Sequence, residues 1–214
     1  MAAYIQGVDR MGYLIRFLSS IGLEMLAAGI VLVPLYAVLN RALFHNTRKS
    51  LIYCVFSFYL AAVYHLVGLP NVTYIRFEVN LNLIPFLGFF DGLQSSILNI
   101  LLFVPLGVGM PILWEKFRSG KNTVLFGFGM SLAIEILQMF TFRATDVNDL
   151  MTNTLGTFLG WLLAGALIKA VPDIKRMGAE TKTGELYLVC AVGFLVMFFV
   201  QPFLFSIIWD IVMH

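Results

Sequence analysis

The chain has 214 residues, of which 60% are apolar and 12% charged, and a formal net charge of +2. Soluble domains carry about 45–50% apolar and about 25% charged residues. This sequence therefore has too little polar surface to coat a globule in water, and the bilayer is the solvent that suits it. Its basic residues are spread over short stretches with no patch interleaved with aromatics, which excludes nucleic-acid binding.

A spanning helix needs about 20 mostly apolar residues. Six stretches come close to that length, near residues 21–39, 51–69, 97–113, 124–142, 154–171 and 186–212. The expected fold class is an all-α polytopic membrane protein, a bundle of about six transmembrane helices, in a single membrane domain over residues 1–214. The opening residues are mixed, Asp9 and Arg10 among them, and no short apolar run with a small-residue cleavage site follows, so no cleavable signal peptide is expected. The last span contains Pro202, which predicts a tilt or kink. Cys54 and Cys190 sit in apolar runs without paired spacing and are expected to be inert thiols.

Lys and Arg collect on cytoplasmic loops. The connections after the first, third and fifth spans hold Arg41, Arg48 and Lys49; Lys116, Arg118 and Lys121; and Lys169, Lys175, Arg176 and Lys182. The opposite side holds Arg10, Arg16, Arg76 and Arg143. This bias places both termini outside a bacterial cytoplasmic membrane.

Ionisable and amide side chains inside spans are costly and usually face the protein interior or water. Here they are Glu24, His65, Asn99, Glu135, Gln138 and Gln201. With the orientation above, all fall in the outer half of the bundle. That one-sided depth suggests a polar pocket opening outward. A through-going transport path needs polar groups at every depth. A lone His in a span is a candidate base or a hydrogen-bonded packing residue.

The connection 71–94 is too long for a plain turn. Within it, Ile75, Phe77, Val79, Leu81 and Leu83 alternate with Arg76, Glu78, Asn80 and Asn82. Period two marks an extended segment with one greasy and one polar face, and an open sheet edge is excluded from lipid. The segment is expected as an extended amphipathic outer loop between helices 2 and 3, its polar face towards the pocket, ended by Pro85 and Gly88. The competing reading is an interfacial loop that only shields helix ends.

The next connection carries Arg143, Asp146, Asp149 and Asn153. The last three share one face if helical and lead onto the fifth span through Gly156, Gly160 and Ala164, small residues that permit close helix approach. Asp146 or Thr145 is a candidate cap for that helix. Capping explains one acid, not the whole group beside Glu135. The group is either a functional cluster or a structural ion-pair network.

The pattern Asn99-x-x-x-Phe103-x-Pro105-x-Gly107, then Glu135-x-x-Gln138, then Arg143-x-x-Asp146-x-x-Asp149-x-x-x-Asn153-x-x-Gly156-x-x-x-Gly160 resembles the VanZ-like family. Upstream, Asn82-Leu-Ile-Pro85-Phe86 also matches its pattern. The likeness covers about 51–171 and is densest from Asn82 to Gly160. The resemblance implies a bacterial envelope membrane protein linked to resistance to teicoplanin, a lipoglycopeptide. The drug's targets, the peptidoglycan stem and lipid-linked precursors, lie outside the membrane.

Three function classes follow. The first is a protein that binds or modifies a lipid-linked or cell-wall ligand in an outward pocket lined by Arg76, Glu78, Asn82, Asn99, Glu135, Gln138, Arg143, Asp146, Asp149 and Asn153. The two arginines suit phosphate or carboxylate groups. The second is a membrane hydrolase or transferase with Glu135, Asp146 and Asp149 as candidate catalytic acids and bases. A divalent ion between Asp146 and Asp149 is conceivable through oxygen ligands. However, the sequence has no HExxH, P-loop or GxSxG elbow, and no metal or other cofactor is expected. The third is a small transporter. Expected partners are membrane lipid and a lipid-linked wall precursor or lipoglycopeptide.

Overall fold

The computed structural model describes the backbone of residues 2–78, 80–86, 92–141, 143–171 and 181–213, and side chains between residues 19 and 212 of these. Val79, Gly88, Phe142, Lys175, Arg176 and the side chains of Arg10 and Arg16 lie outside the described part. The protein is an all-α, multi-pass membrane protein. Its described residues form seven α-helical segments and one two-residue strand pair. In a bilayer every backbone polar group must be satisfied internally, and for apolar runs of this length the helix does so. Among the described residues five helical stretches are long and apolar enough to cross, Ser19–Phe44, Thr47–Leu66, Leu93–Leu113, Val147–Ala170 and Thr183–Val212. The fourth expected span is also helical but falls outside this set. Lys121 and Asn122 in its first turn and Glu135 and Gln138 at its end lower its hydropathy.

The chain forms two compact units. The first contains helix α1 (Ala2–Leu39), helix α2 (Thr47–Leu66) and the C-terminal segment from Val189. Ala27, Ala28, Leu32 and Tyr36 form the buried stripe of α1. The Tyr36 hydroxyl meets Ser57 Oγ at 2.6 Å, and Ser50 Oγ donates to the Tyr36 carbonyl at 2.8 Å. Between the helices a π-turn (Asn40–Phe44) ends at His45, whose φ is 50°. Asn46 then caps α2, its Oδ1 accepting from Lys49 N at 3.0 Å. His65 Nδ1 lies 2.7 Å from Glu24 Oε2, so these two span residues pair with each other.

The C-terminal stretch is helix α6 (Thr183–Leu195), a π-turn (Val196–Val200) and helix α7 (Gln201–Met213). The π-turn immediately precedes Pro202. Proline offers no N–H and its ring crowds the preceding turn, and a π-bulge absorbs that misfit. Gln201 N reaches back to the Val196 carbonyl.

The second unit holds helices α3 (Leu93–Leu113), α4 (Gly120–Gln138) and α5 (Val147–Ala170). Its core is the α3–α5 seam, where the small-residue stripe works within the chain. A methyl added at Gly156 would run into the Ile100 carbonyl. One added at Gly160 would run into the Val104 carbonyl and lie 2.8 Å from the Gly107 Cα. Gly127 of α4 packs against the Thr157 side chain, and Ala164 is fully buried. A 3-10 turn (Glu115–Arg118) links α3 to α4, and Trp161 Nε1 donates to the Arg118 carbonyl at 3.0 Å.

The long connection is extended beside the end of α4. Arg76 N donates to the Phe140 carbonyl at 3.0 Å and Glu78 N to the Met139 carbonyl at 2.9 Å. Strand β1 (Leu81–Asn82) then pairs in parallel with β2 (Thr145–Asp146). Its apolar side chains Ile75, Phe77, Leu81 and Leu83 are exposed on the chain, as a face turned to lipid would be. The turn that follows contains Pro85, and Phe86 adopts a φ of 65°.

Gly160→Ala tests the seam. Overpacking against backbone is expected to destabilise the protein by about 1–3 kcal/mol. Gly165→Ala, which meets nothing within 4 Å, is expected to leave it unchanged or more stable. Thermal melting of the two variants in detergent measures the difference.

Candidate functional site at the start of α5

Asp146 organises this region because it stands where strand β2 becomes helix α5. Its Oδ1 accepts from Asn148 N at 2.8 Å, which caps the helix. Its Oδ2 accepts from Asn82 Nδ2 at 3.1 Å. Its own backbone N–H donates to Glu135 Oε2 at 2.9 Å. Glu135 is only 3% exposed. A buried carboxylate of this kind needs hydrogen-bond donors, and the Asp146 amide supplies one. Thr145 Oγ1 adds a bond to the Glu135 carbonyl at 3.0 Å.

Asp149 lies on the first turn of α5, within electrostatic range of Asp146, Glu135 and Arg143. Asn99 faces Asp149 from α3, although its buried Nδ2 closes no well-formed hydrogen bond. One turn further along α5, Asn153 Nδ2 donates to Ser131 Oγ of α4 at 2.9 Å. Asn153 is buried, and its Oδ1 has no partner among the described residues.

Gln138 points to the turn Val67–Pro70. Its Nε2 donates to the Val67 carbonyl at 2.7 Å, and its buried Oε1 has no partner among the described residues. Arg143, which is exposed, lies over the same turn. A Cβ on Gly68 would fall 2.9 Å from Arg143 Nε, and Gly68 has a φ of +64°. Gly68 therefore leaves room for the arginine stem and takes a backbone conformation that other residues resist.

Of the sequence-named residues, Asn82, Asn99, Glu135, Arg143, Asp146 and Asp149 gather around the start of α5. Asn153 lies one turn along, and Gln138 lies beside Arg143's turn. Arg76 and Glu78 pair with each other at 3.9 Å, both well exposed. Among the described residues no group of three His, Cys, Asp or Glu is placed to hold a metal ion. Sequence reasoning missed Asn148, whose Oδ1 accepts from Phe86 N at 2.7 Å and so fastens the 82–86 turn to α5. It also missed Gly68 and Ser131. The signal for Asn148 was its place inside the Asp146–Asp149 cap. Gly68 and Ser131 had no local signal.

These features define a multi-pass helical membrane protein with a polar cluster where a short parallel strand pair meets a helix start. The VanZ/LLP1 family model matches residues 50–169. The chain is also 34% identical over 113 residues to Protein VanZ of Enterococcus faecium, covering 51% of this chain and 68% of that protein. The chain belongs to the VanZ/LLP1 family. No solved structure matches it.

Asp146→Ala removes the α5 cap and the Asn82 bond together. It is expected to cost about 0.5–2 kcal/mol for the cap alone, read as faster amide hydrogen exchange in the first turn of α5. Asp146→Asn keeps an accepting oxygen at that position and is expected to retain most of the protection.

Proposed function

We propose that this VanZ-like protein resides in the bacterial cytoplasmic membrane with the start of α5 on the outer side. There its polar cluster binds a lipid-linked or cell-wall ligand and lowers sensitivity to teicoplanin. The observation that carries this reading is the gathering of Glu135, Asp146, Asp149, Arg143 and Asn99 around one helix start. Buried amide atoms of Asn99 and Asn153 beside it have no partner among the described residues. In an apolar chain, unsatisfied buried polar groups cost stability, and a bound ligand supplies the partners.

Binding is favoured over catalysis by what the acids already do. Glu135 Oε2 holds the Asp146 amide, and both Asp146 oxygens are bonded. Those contacts hold the site's framework together. Asp149 and Arg143 face the ligand on this reading.

Two measurements test the proposal. Expression in a susceptible host is expected to reduce teicoplanin sensitivity, and Asp149→Asn or Arg143→Gln to abolish the effect at equal membrane abundance. Unchanged sensitivity with the native chain refutes the resistance role. In a chain whose Cys54 and Cys190 have been changed to serine, a cysteine replacing exposed Ala144 is expected to react with an impermeant thiol reagent in intact cells. Labelling only after lysis would put the site on the cytoplasmic side and overturn the proposed address.

A further inference from the structure

We propose that the cluster at the start of α5 takes a zwitterionic ligand, one that presents a primary ammonium group to Asp149 and an adjacent anionic group to Arg143. This deepens the reading of the cluster as a ligand site and rests on it.

The charges are unequal. Three carboxylates, Glu135, Asp146 and Asp149, stand within range of one another. Arg143 is the one described cation that acts on Glu135 and Asp149. A buried acid either meets a cation or takes up a proton, and Arg143 forms no ion pair within 4.0 Å of a described acid. Asp146 is fully engaged, and Glu135 is engaged through Oε2. Asp149 and Glu135, the latter through Oε1, have oxygens left to offer, and Asp149 is the less buried of the two acids.

A buried acceptor follows Asp149 on the same helix: Asn153 is 2% exposed, and its side-chain oxygen has no partner among the described residues. Asn153 stands one turn past Asp149 on the same helix face. Its amide is held in place by Ser131, one turn before Glu135 on α4. An ammonium has three donors and no acceptor, which suits the Asp149 carboxylate and the Asn153 oxygen.

Arg143 serves the other end of the ligand. Its stem crosses the bare backbone of Gly68, and Gln138 fixes that turn through Val67. Backbone packing, rather than an acid partner, sets its position. A planar guanidinium fork fits a phosphate or carboxylate. The shared chemistry, ammonium beside anion, occurs in aminoalkyl phosphate lipid headgroups and in amino-acid or peptide zwitterions.

The test uses the purified full chain in nanodiscs of phosphatidylglycerol, titrated by calorimetry with phosphoethanolamine, ethanolamine, inorganic phosphate and the dipeptide alanyl-alanine. Native mass spectrometry compares retention of phosphatidylethanolamine and phosphatidylglycerol. A probe carrying both charges is expected to bind about tenfold or more tightly than ethanolamine or phosphate, the scale of one charge-assisted contact. Asp149→Asn and Arg143→Gln are each expected to remove that advantage, and Gly68→Ala to weaken it. Arg143 is exposed, so its variant remains informative if Asp149→Asn does not fold. Preference for phosphoethanolamine with retained phosphatidylethanolamine assigns a lipid headgroup, and preference for the dipeptide assigns a peptide end. Equal binding of a single-charge probe, or binding of none, overturns the zwitterion. If none binds while Asp149→Asn still abolishes the teicoplanin phenotype, the ligand class is wrong and the site stands. If the variants also leave that phenotype intact, both readings fall.

Discussion

The hydrogen bond from the Asp146 amide to the Glu135 carboxylate holds the second unit's polar region together. It joins the last turn of α4 to the residue that opens α5, across a connection of only a few residues. With Asp146 fixed, its side chain caps the helix and receives Asn82. With Asn82 fixed, the long connection enters the strand pair, and the following turn reaches Asn148. A glutamate inside an apolar bundle is expensive unless bonded. Here the bonding also determines the path of two connections.

The α3–α5 seam supplies the second constraint. Gly107, Gly156 and Gly160 bring the two backbones into contact, which places α3 alongside the early turns of α5 and sets Asn99 against Asp149. Larger residues at those glycines would separate the helices and draw Asn99 away. Packing in the apolar part of the helices therefore sets the geometry of the polar end. In lipid, where helices gain little from burying apolar surface, close van der Waals contact of this kind is a main source of association.

Legibility from the sequence followed distance along the chain. The spans were readable because the bilayer imposes a length and a composition. The glycine stripe was readable because four-residue spacing places its members on one face. The extended loop showed as period two, and the same period places Arg76 and Glu78 on one side, within reach of each other, which is how they are found. Asp146 was readable as a cap. Less visible were contacts between residues far apart in sequence. Gly68 beneath Arg143, Val67 holding Gln138 and Ser131 holding Asn153 leave no periodic trace, because each is one residue meeting another across a tertiary interface. The π-turn before Pro202 was foreseen only as a kink, since the sequence marks the obstacle without showing how the backbone absorbs it.

The two units treat their intramembrane charges differently. In the first, Glu24 and His65 meet each other directly, one acid with one base, and the pair needs nothing further. In the second, the acids outnumber the base, and the base is held by a glycine turn. Three side-chain amides there have a buried atom without a partner among the described residues, as Gln201 does in the first unit. A self-satisfied pair is how a protein locks helices together. The stretch matched by the family model, residues 50–169, contains the whole group of the second unit. On the proposed reading, the part of the chain that matches the family is also the part that holds the ligand site.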